Sequence, residues 1–363
     1  MGLMNYLINN EKNKIYRYRN LFVNKSGFGK LADENIENLV NEIINQFHEI
    51  TLDIRGYYNG IKTDDSSIDK LKAPSEGCKK ASQKNIFSAR IEKNNIYKTS
   101  PEDNLERMIK LSGQKLDKEI IYENQIAIPD TSQASHIDLL KKYDKTIEIV
   151  ELKKWENGNN PPTWAVIECI KNLYMFLHLC KHLNNDNYTN AKSVEKFKNV
   201  QAAEDGLKIY NIAGVKAFKL IILAPKEYYE DTHFSEQNNR PELKNAFKRF
   251  CTLLAKGIEK DVNAKLKQNY DISIEVKYFE LEPNTQDVYE KIKNNIVERH
   301  IAIQKQKNPA WEPIIKEQKS GNKTKNTGEI DLSNYIDINS QESDELFPIA
   351  VSKALIRWED YIE

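Results

Sequence analysis

Two acidic residues and a lysine stand at the ends of two short apolar runs within Ser135–Lys154, which reads SHIDLLKKYDKTIEIVELKK. Asp138 and Glu151 are equidistant from the point between Asp144 and Lys145. If a hairpin turns at that point, the two carboxylates face each other across antiparallel strands, with about 4.5–5.5 Å between their Cβ atoms. Like charges repel at that distance, so the pattern indicates a cation close to both acids.

Lys153 is placed on the same strand face as Glu151 by the alternation of side chains in a strand, with Leu152 pointing the other way. Carboxylate oxygens are hard ligands that suit Mg²⁺ or Mn²⁺. Such an ion polarises a phosphodiester and lowers the pKa of a bound water molecule. Lys153 can then orient or deprotonate the attacking water, or neutralise charge in the transition state. The three side chains therefore predict a site for a divalent metal and a phosphate.

The overall charge of the chain limits how it can bind nucleic acid. Lys and Arg total 54, as do Asp and Glu, so the net charge is zero. Any affinity for nucleic acid must then come from local patches. The 363 residues suffice for one large domain or two modest ones.

Cysteine usage and hydropathy predict a cytoplasmic protein without a membrane partner. The four cysteines are scattered and form no CxxC motif, which favours a reducing compartment over a disulfide framework or a zinc ribbon. The N-terminal residues lack the apolar run of a signal peptide. The longest apolar stretch, Trp164–Leu183, is interrupted by charged residues and predicts a buried helix rather than a membrane span.

The order of predicted elements indicates an α/β fold, with a mixed central β-sheet flanked by helices. Ser100-Pro101 fits the start of a helix that continues through Glu106. The elements that follow are a strand at Glu119–Ile128, the hairpin, a helix at Trp164–Leu183, a strand at Val215–Leu223, a helix at Pro241–Ile258 and a strand at Ile272–Leu281.

Additional segments flank this core, which predicts three parts: an accessory region at 1–95, a core at 96–285 and a C-terminal region at 286–363. The basic and aromatic stretch Lys12–Lys30 fits phosphate contacts with base stacking, or else a strand with a solvated face. An amphipathic helix starts near Ile36. The C-terminal region contains a helix, a basic loop at Lys305–Lys325 and an acidic tail that ends in an amphipathic helix around Leu355, Ile356, Trp358 and Ile362.

The hairpin and its surroundings resemble the PD-(D/E)xK nuclease superfamily, in which an acid on one strand precedes a (D/E)xK triplet on the next. Asp138 matches the first acid, and Glu151 and Lys153 match the triplet. The resemblance implies a restriction-endonuclease-like core. It also implies an added acid from the preceding helix, matched by Glu106, and a polar residue on the following helix. Glu168 matches that last position, where Gln is commoner.

This resemblance implies that the chain is a Mg²⁺-dependent DNA endonuclease of a restriction-modification or antiviral defence system. It also implies that Mn²⁺ can substitute for Mg²⁺. Asp138, Glu151, the Leu152 carbonyl and Glu106 would hold the metal, and Lys153 would act on the water. The products would carry a 3′-hydroxyl and a 5′-phosphate. The flanking regions would recognise DNA or form homodimer contacts.

Several alternatives remain open from the sequence. Glu275-Val276-Lys277 is a second ExK triplet on a predicted strand, ranked lower because no Asp lies on a preceding hairpin partner. Asp130 follows a proline in a loop, and Glu106 can equally favour its helix through the dipole. Glu168 and Asn172 share a helical face, on which Glu168 is expected to face the site and Asn172 to have no special role. The chain can also be a catalytically silent nuclease-fold scaffold that binds nucleic acid, or an effector nuclease activated by a ligand or partner.

Overall fold

A computed structural model of the chain describes residues 33–58, 88–92, 96–99, 102, 104–106, 109, 121–128, 135–154, 162–183, 210–230, 241–281, 285–311, 317–320, 323–326, 328–331 and 356–357. The basic stretch Lys12–Lys30 and Asp130 lie outside these residues. The chain divides into two compact units, each discontinuous in sequence. The first unit comprises Met1–Ser82, Glu119–Glu280 and Arg357–Glu363, and the second comprises Gln83–Lys118 and Leu281–Ile356. The predicted functional division at residues 95 and 285 stays a prediction.

The described elements largely follow the order predicted from the sequence. They are α1 (Asp33–Tyr58), β1 (Ser88–Glu92), β2 (Ile96–Thr99), β3 (Ile121–Ile128), β4 (Ser135–Tyr143), β5 (Thr146–Leu152), α2 (Pro162–Leu183), β6 (Ala217–Ala224), α3 (Lys226–Glu230), α4 (Pro241–Gly257), a π-helical turn (Ile258–Asn263), α5 (Ala264–Tyr270), β7 (Ser273–Glu280), α6 (Thr285–Lys307), β8 (Glu317–Ser320), β9 (Lys323–Asn326), β10 (Gly328–Asp331) and β11 (Ile356–Arg357). None of the helices in the described ranges combines the length and apolar character that a membrane crossing requires.

The largest sheet in the described part of the chain is mixed, with the strand order β11-β7-β6-β5-β4-β3. Strands β3, β4 and β5 are antiparallel neighbours, whereas β5, β6 and β7 run parallel. Parallel neighbours need a crossover connection; α2 lies between β5 and β6 in the chain, and α3 to α5 lie between β6 and β7. The predicted α/β class is therefore confirmed. Its closer likeness to a restriction-endonuclease core stays a prediction.

The sheet face that packs against α2 also carries Glu151, a residue of the candidate site. On β5, Ile147 and Ile149 are fully buried in the core, and strand alternation places Glu151 next on the same face. All residues of α2 from 172 to 180 are buried. The helix lies against β5 and β6 and also against α1. A helix that is covered from two sides needs no wide polar face. This packing therefore explains the long apolar stretch Trp164–Leu183 in the sequence.

The approach of α1 to α4 depends on a glycine. A Cβ atom on Gly257, the last residue of α4, would lie 2.8 Å from Ile44 Cγ1 on α1. That distance is shorter than van der Waals contact between carbon atoms allows. Gly257 therefore lets the two helices meet closely where α4 gives way to the π-helical turn.

The second unit contains two small sheets among its described residues. One has the order β10-β1-β2, and the other is the β8-β9 pair. Residues 102, 104–106 and 109 are helical, as predicted. Asn104 Nδ2 on this helical stretch donates to Tyr289 Oη on α6 at 3.3 Å. The helical stretch that carries Glu106 is thus tied to α6.

Two predictions about the C-terminal region are wrong. The basic loop at Lys305–Lys325 contains β8 and most of β9, whose register pairs Ser320 with Lys323 and leaves Gly-Asn between the strands. That dipeptide is a hairpin signal, but the strands around it are polar and show no apolar alternation. At Ile356–Arg357 the expected amphipathic helix is replaced by β11. A few apolar residues in so short a segment fit either structure.

Asn263, at the end of the π-helical turn, is 2% exposed and holds this turn to β7. Its Nδ2 donates to the Ile274 carbonyl at 3.0 Å, and its Oδ1 accepts from the Ile274 N–H at 2.8 Å. Nδ2 also donates to Glu259 Oε2 at 2.7 Å. One side chain thereby satisfies both backbone groups of a buried strand residue, which fixes the helical layer against the sheet.

Replacing Asn263 with Ala should lower the free energy of unfolding by about 2 kcal/mol or more, because it leaves two buried backbone groups unpaired. Urea denaturation measures this change. The matched control is Asn269→Ala, at an exposed residue whose Nδ2 donates to the Lys265 carbonyl at 2.7 Å. The control should stay within about 0.5 kcal/mol of the wild type. Equal losses in the two variants would contradict this role of Asn263.

Candidate active site

The register of the β4–β5 hairpin agrees with the turn predicted from the sequence. The ladder runs from Tyr143 paired with Thr146 to Leu139 paired with Val150. Asp144 and Lys145 form the turn, and Asp144 has a φ of 45°, a left-handed conformation that Asp tolerates. One step beyond the last ladder pair, the same register brings Asp138 opposite Glu151.

Beyond the last backbone pair of the hairpin, the side chain of Asp138 forms a hydrogen bond with β5. Its Oδ2 accepts a hydrogen bond from the Leu152 N–H at 2.9 Å. Its Oδ1 lies 3.7 Å from His136 Nε2, a neighbour on the same strand face. On the other side of β5, Lys153 N donates to the Leu223 carbonyl at 2.8 Å, which continues the parallel pairing with β6. The backbone that carries Glu151 and Lys153 is therefore held from both sides.

Glu151 has a hydrogen-bond partner at each carboxylate oxygen. Lys153 Nζ donates to Oε1 at 2.5 Å, and Asn172 Nδ2 donates to Oε2 at 3.1 Å. Lys153 Nζ also lies 3.4 Å from Glu168 Oε2. The expected common face of Glu151 and Lys153 is thus observed. Three elements, β4, β5 with the residue after it, and α2, bring these side chains together.

Burial strengthens the electrostatic interactions between the charged side chains of this cluster. Glu151 is 5% exposed and Asp138 is 9% exposed. Burial and the neighbouring Asp138 carboxylate raise the pKa of Glu151 well above its usual range, while Lys153 opposes this shift. Burial lowers the pKa of Lys153, but the carboxylates of Glu151, Glu168 and Asp138 outweigh it and hold that pKa well above its usual range. Lys153 is therefore an ammonium ion at neutral pH.

The donors of this cluster fit a divalent cation of the hard class. Asp138 and Glu151 offer carboxylate oxygens, the ligands that Mg²⁺ and Mn²⁺ prefer. Each acid also carries hydrogen bonds from groups that do not ligate metals, which is typical of ligating carboxylates. Oxygen Oε1 of Glu151 accepts from the Lys153 ammonium. A divalent cation would compete with that ammonium for this oxygen.

The structure brings together four of the side chains predicted for the site: Asp138, Glu151, Lys153 and Glu168. Leu152 lies within the cluster through its N–H, while metal binding by its carbonyl stays a prediction. Glu106 belongs to the second unit, where it is helical and buried, and its role as a further ligand also stays a prediction.

The second ExK triplet has a different environment. Glu275 and Lys277 on β7 form an ion pair of 3.6 Å, with side chains 43% and 32% exposed. A solvated pair of this kind contributes little to stability and creates no strong local field. The triplet at residues 151–153 is therefore the better candidate for metal chemistry.

Asn172 was expected to have no special role, and its contact with Glu151 corrects that expectation. The residue stands four positions after Glu168, so both project from the same face of α2. That spacing is the signal that could have identified it. Its Oδ1 is buried without a hydrogen-bond partner among the described residues, a cost of roughly 1–3 kcal/mol for a buried polar group.

The three cysteines among the described residues lie in the interior of the protein. Cys169, Cys180 and Cys251 are buried free thiols. Burial raises the pKa of the Cys169 thiol well above its usual range, so it stays protonated next to the candidate site.

Comparisons of the chain with protein-family models, with curated proteins and with solved structures each give no match. The resemblance to PD-(D/E)xK nucleases therefore stays a prediction from the sequence.

Replacing Lys153 with Met should lower the free energy of unfolding by roughly 3 kcal/mol without added metal, because it removes the cation from a buried cluster of carboxylates. Denaturation in urea with a chelator present measures the loss. The control is Lys145→Met in the exposed turn of the same hairpin, which should change stability little. A Lys153→Met variant as stable as this control would show that the ion pairs do not compensate the buried acids.

Proposed function

We propose that this chain is a Mg²⁺-dependent endonuclease that hydrolyses phosphodiester bonds in DNA. The observation that carries the proposal is the buried pair of acids, Asp138 and Glu151, next to the ammonium of Lys153 at the end of the central hairpin. Two carboxylates and one amine are the groups needed to hold a hard cation and to stabilise a phosphate in the transition state.

In this proposal Asp138 and Glu151 hold the metal, joined by the Leu152 carbonyl and by Glu106 as the further ligands. The bound ion would polarise the phosphodiester and lower the pKa of a water molecule, and Mn²⁺ would substitute for Mg²⁺. Asp138 is well suited to this task because its Oδ2 is fixed by the Leu152 N–H at 2.9 Å. A fixed ligand needs no reorganisation when the cation binds.

Without metal, Lys153 supplies the positive charge of the site. The neighbouring carboxylates hold its pKa well above the usual range, although burial opposes them. An ammonium ion orients water and neutralises negative charge that develops on phosphate. Glu168, at 3.4 Å from Nζ, would keep the ammonium in the site when a cation takes over Glu151.

The biological setting is proposed from the same resemblance. The substrate would be DNA, cut to leave a 3′-hydroxyl and a 5′-phosphate, in a restriction-modification or antiviral defence system in the cytoplasm. The zero net charge means that phosphate contacts must come from local basic groups. The segments on either side of the core would recognise DNA or form a homodimer.

A catalytically silent scaffold is the second candidate, and one observation favours it. The Lys153 ammonium already pairs with Glu151 at 2.5 Å and with Glu168 at 3.4 Å, so the protein itself supplies part of the positive charge that these acids need. A buried ion-pair network of this kind can persist for structural reasons alone. The two candidates differ in whether a divalent cation binds and in whether DNA is cut.

Purified protein should cut supercoiled or linear DNA with Mg²⁺ or Mn²⁺, and a chelator should stop the reaction. Asp138→Asn and Glu151→Gln should each slow cleavage about 100-fold or more, because each removes part of the charge that holds the cation. Gel assays of plasmid and oligonucleotide substrates measure the rates. Glu275→Gln, in the exposed second triplet, is the matched control and should retain full activity. Folded wild-type protein that cuts none of these substrates would favour the scaffold.

A thermal shift experiment separates the two candidates without DNA. Lys153→Met should regain stability when Mn²⁺ is added, because the metal replaces the lost ammonium. A cation at 100 times its Kd stabilises the folded state by about 2.7 kcal/mol. Adding Asp138→Asn to Lys153→Met should abolish the recovery. If Mn²⁺ stabilises neither the wild type nor Lys153→Met, the cluster is structural.

A further inference from the structure

Asn172 contacts the candidate site from α2, one helical turn after Glu168. Its Nδ2 donates to Glu151 Oε2 at 3.1 Å, while Lys153 donates to the other oxygen, Oε1. The residue is 3% exposed. The amide therefore sets the orientation of the Glu151 carboxylate together with Lys153, and its contact does not involve the oxygen that the ammonium occupies.

The other end of the same amide has no partner in the part of the chain that the structure describes. Oδ1 of Asn172 is a buried acceptor without a hydrogen bond among the described residues. Buried polar atoms are nearly always paired, so such an exception calls for an explanation. Two neighbours of Asn172 on α2, Leu173 and Phe176, are fully buried and apolar. If packing were the only role of this residue, an apolar side chain would suffice at this position.

We propose that Asn172 is a positioning residue of the site: its Nδ2–H holds Glu151 in the orientation that a divalent cation requires, and its Oδ1 accepts a hydrogen bond from water that enters with the cation. The inference rests on the proposed metal-dependent function. Ligating carboxylates are oriented by hydrogen bonds from neighbouring residues, and loss of such a partner typically weakens metal binding or activity by about 10–100-fold.

A positioning role and a structural role differ in the quantity that a substitution changes. If Asn172 only stabilised the fold, its loss would lower the amount of folded protein and leave the affinity of the folded site unchanged. If it orients Glu151, its loss raises the concentration of cation needed, and excess cation restores the reaction. Whether the substitution changes the half-saturating concentration of the cation or the maximal rate therefore identifies the role.

The test compares wild type with Asn172→Leu, which is similar in size but cannot form hydrogen bonds. Electron paramagnetic resonance measures Mn²⁺ binding to the protein without DNA, and cleavage is followed across a Mn²⁺ titration. The Kd for Mn²⁺ and the half-saturating Mn²⁺ for cleavage should both rise by about 10–100-fold. The maximal rate at saturating Mn²⁺ should stay within about threefold of wild type.

The matched control is Asn269→Leu, the same substitution at an exposed helical position on α5, and it should change neither value. If Asn172→Leu does not fold, Asn172→Ala is measured in the same way. Unchanged Mn²⁺ affinity in the folded variant overturns the role of Asn172 while the proposed function stands. Wild-type protein that neither binds Mn²⁺ nor cuts DNA overturns the proposed function, and the role of Asn172 with it.

Discussion

Two carboxylates are buried side by side at the end of the central hairpin, and the arrangement of the site follows from the electrostatic cost of this placement. Asp138 and Glu151 keep 9% and 5% of their surface exposed. Charged groups are seldom buried unless they are paired and hydrogen-bonded. Each acid accordingly accepts at least one hydrogen bond: Asp138 from the Leu152 N–H, and Glu151 from Lys153 and Asn172. The hairpin register creates the like-charge pair, the end of β5 and the residue after it supply the Leu152 N–H and the Lys153 ammonium, and α2 supplies the amide of Asn172.

Lys153 is central to this balance because it contacts two acids at once. Its ammonium lies 2.5 Å from Glu151 and 3.4 Å from Glu168. A lysine in this position can give up one carboxylate to a divalent cation and keep the other. The same side chain therefore stabilises the cluster without metal and, in the proposed enzyme, stays close enough to act on phosphate. Removal of Glu168 would abolish this second contact of the ammonium.

The sequence predicts the site well where the chemistry depends on strand geometry. The period of two residues and the central turn suffice to place Asp138, Glu151 and Lys153 on one face, and the α/β order of the core follows from apolar runs and helix caps. Asn172 was missed because a polar residue on an apolar helix is compatible with an exposed edge as well as with a buried contact. Strands β8 and β9 were missed because their residues are polar and their pairing depends on a turn rather than on a buried face. The sequence alone does not reveal which charges are compensated, since that depends on distances between α2 and β5.

Anomalous diffraction from a crystal of this protein grown with Mn²⁺ tests the central claim most directly. The account predicts an anomalous peak bound by the carboxylates of Asp138 and Glu151, with the Lys153 ammonium displaced from Glu151 Oε1 and still in contact with Glu168. No anomalous peak at these carboxylates, with the Lys153–Glu151 pair intact at saturating Mn²⁺, would contradict it.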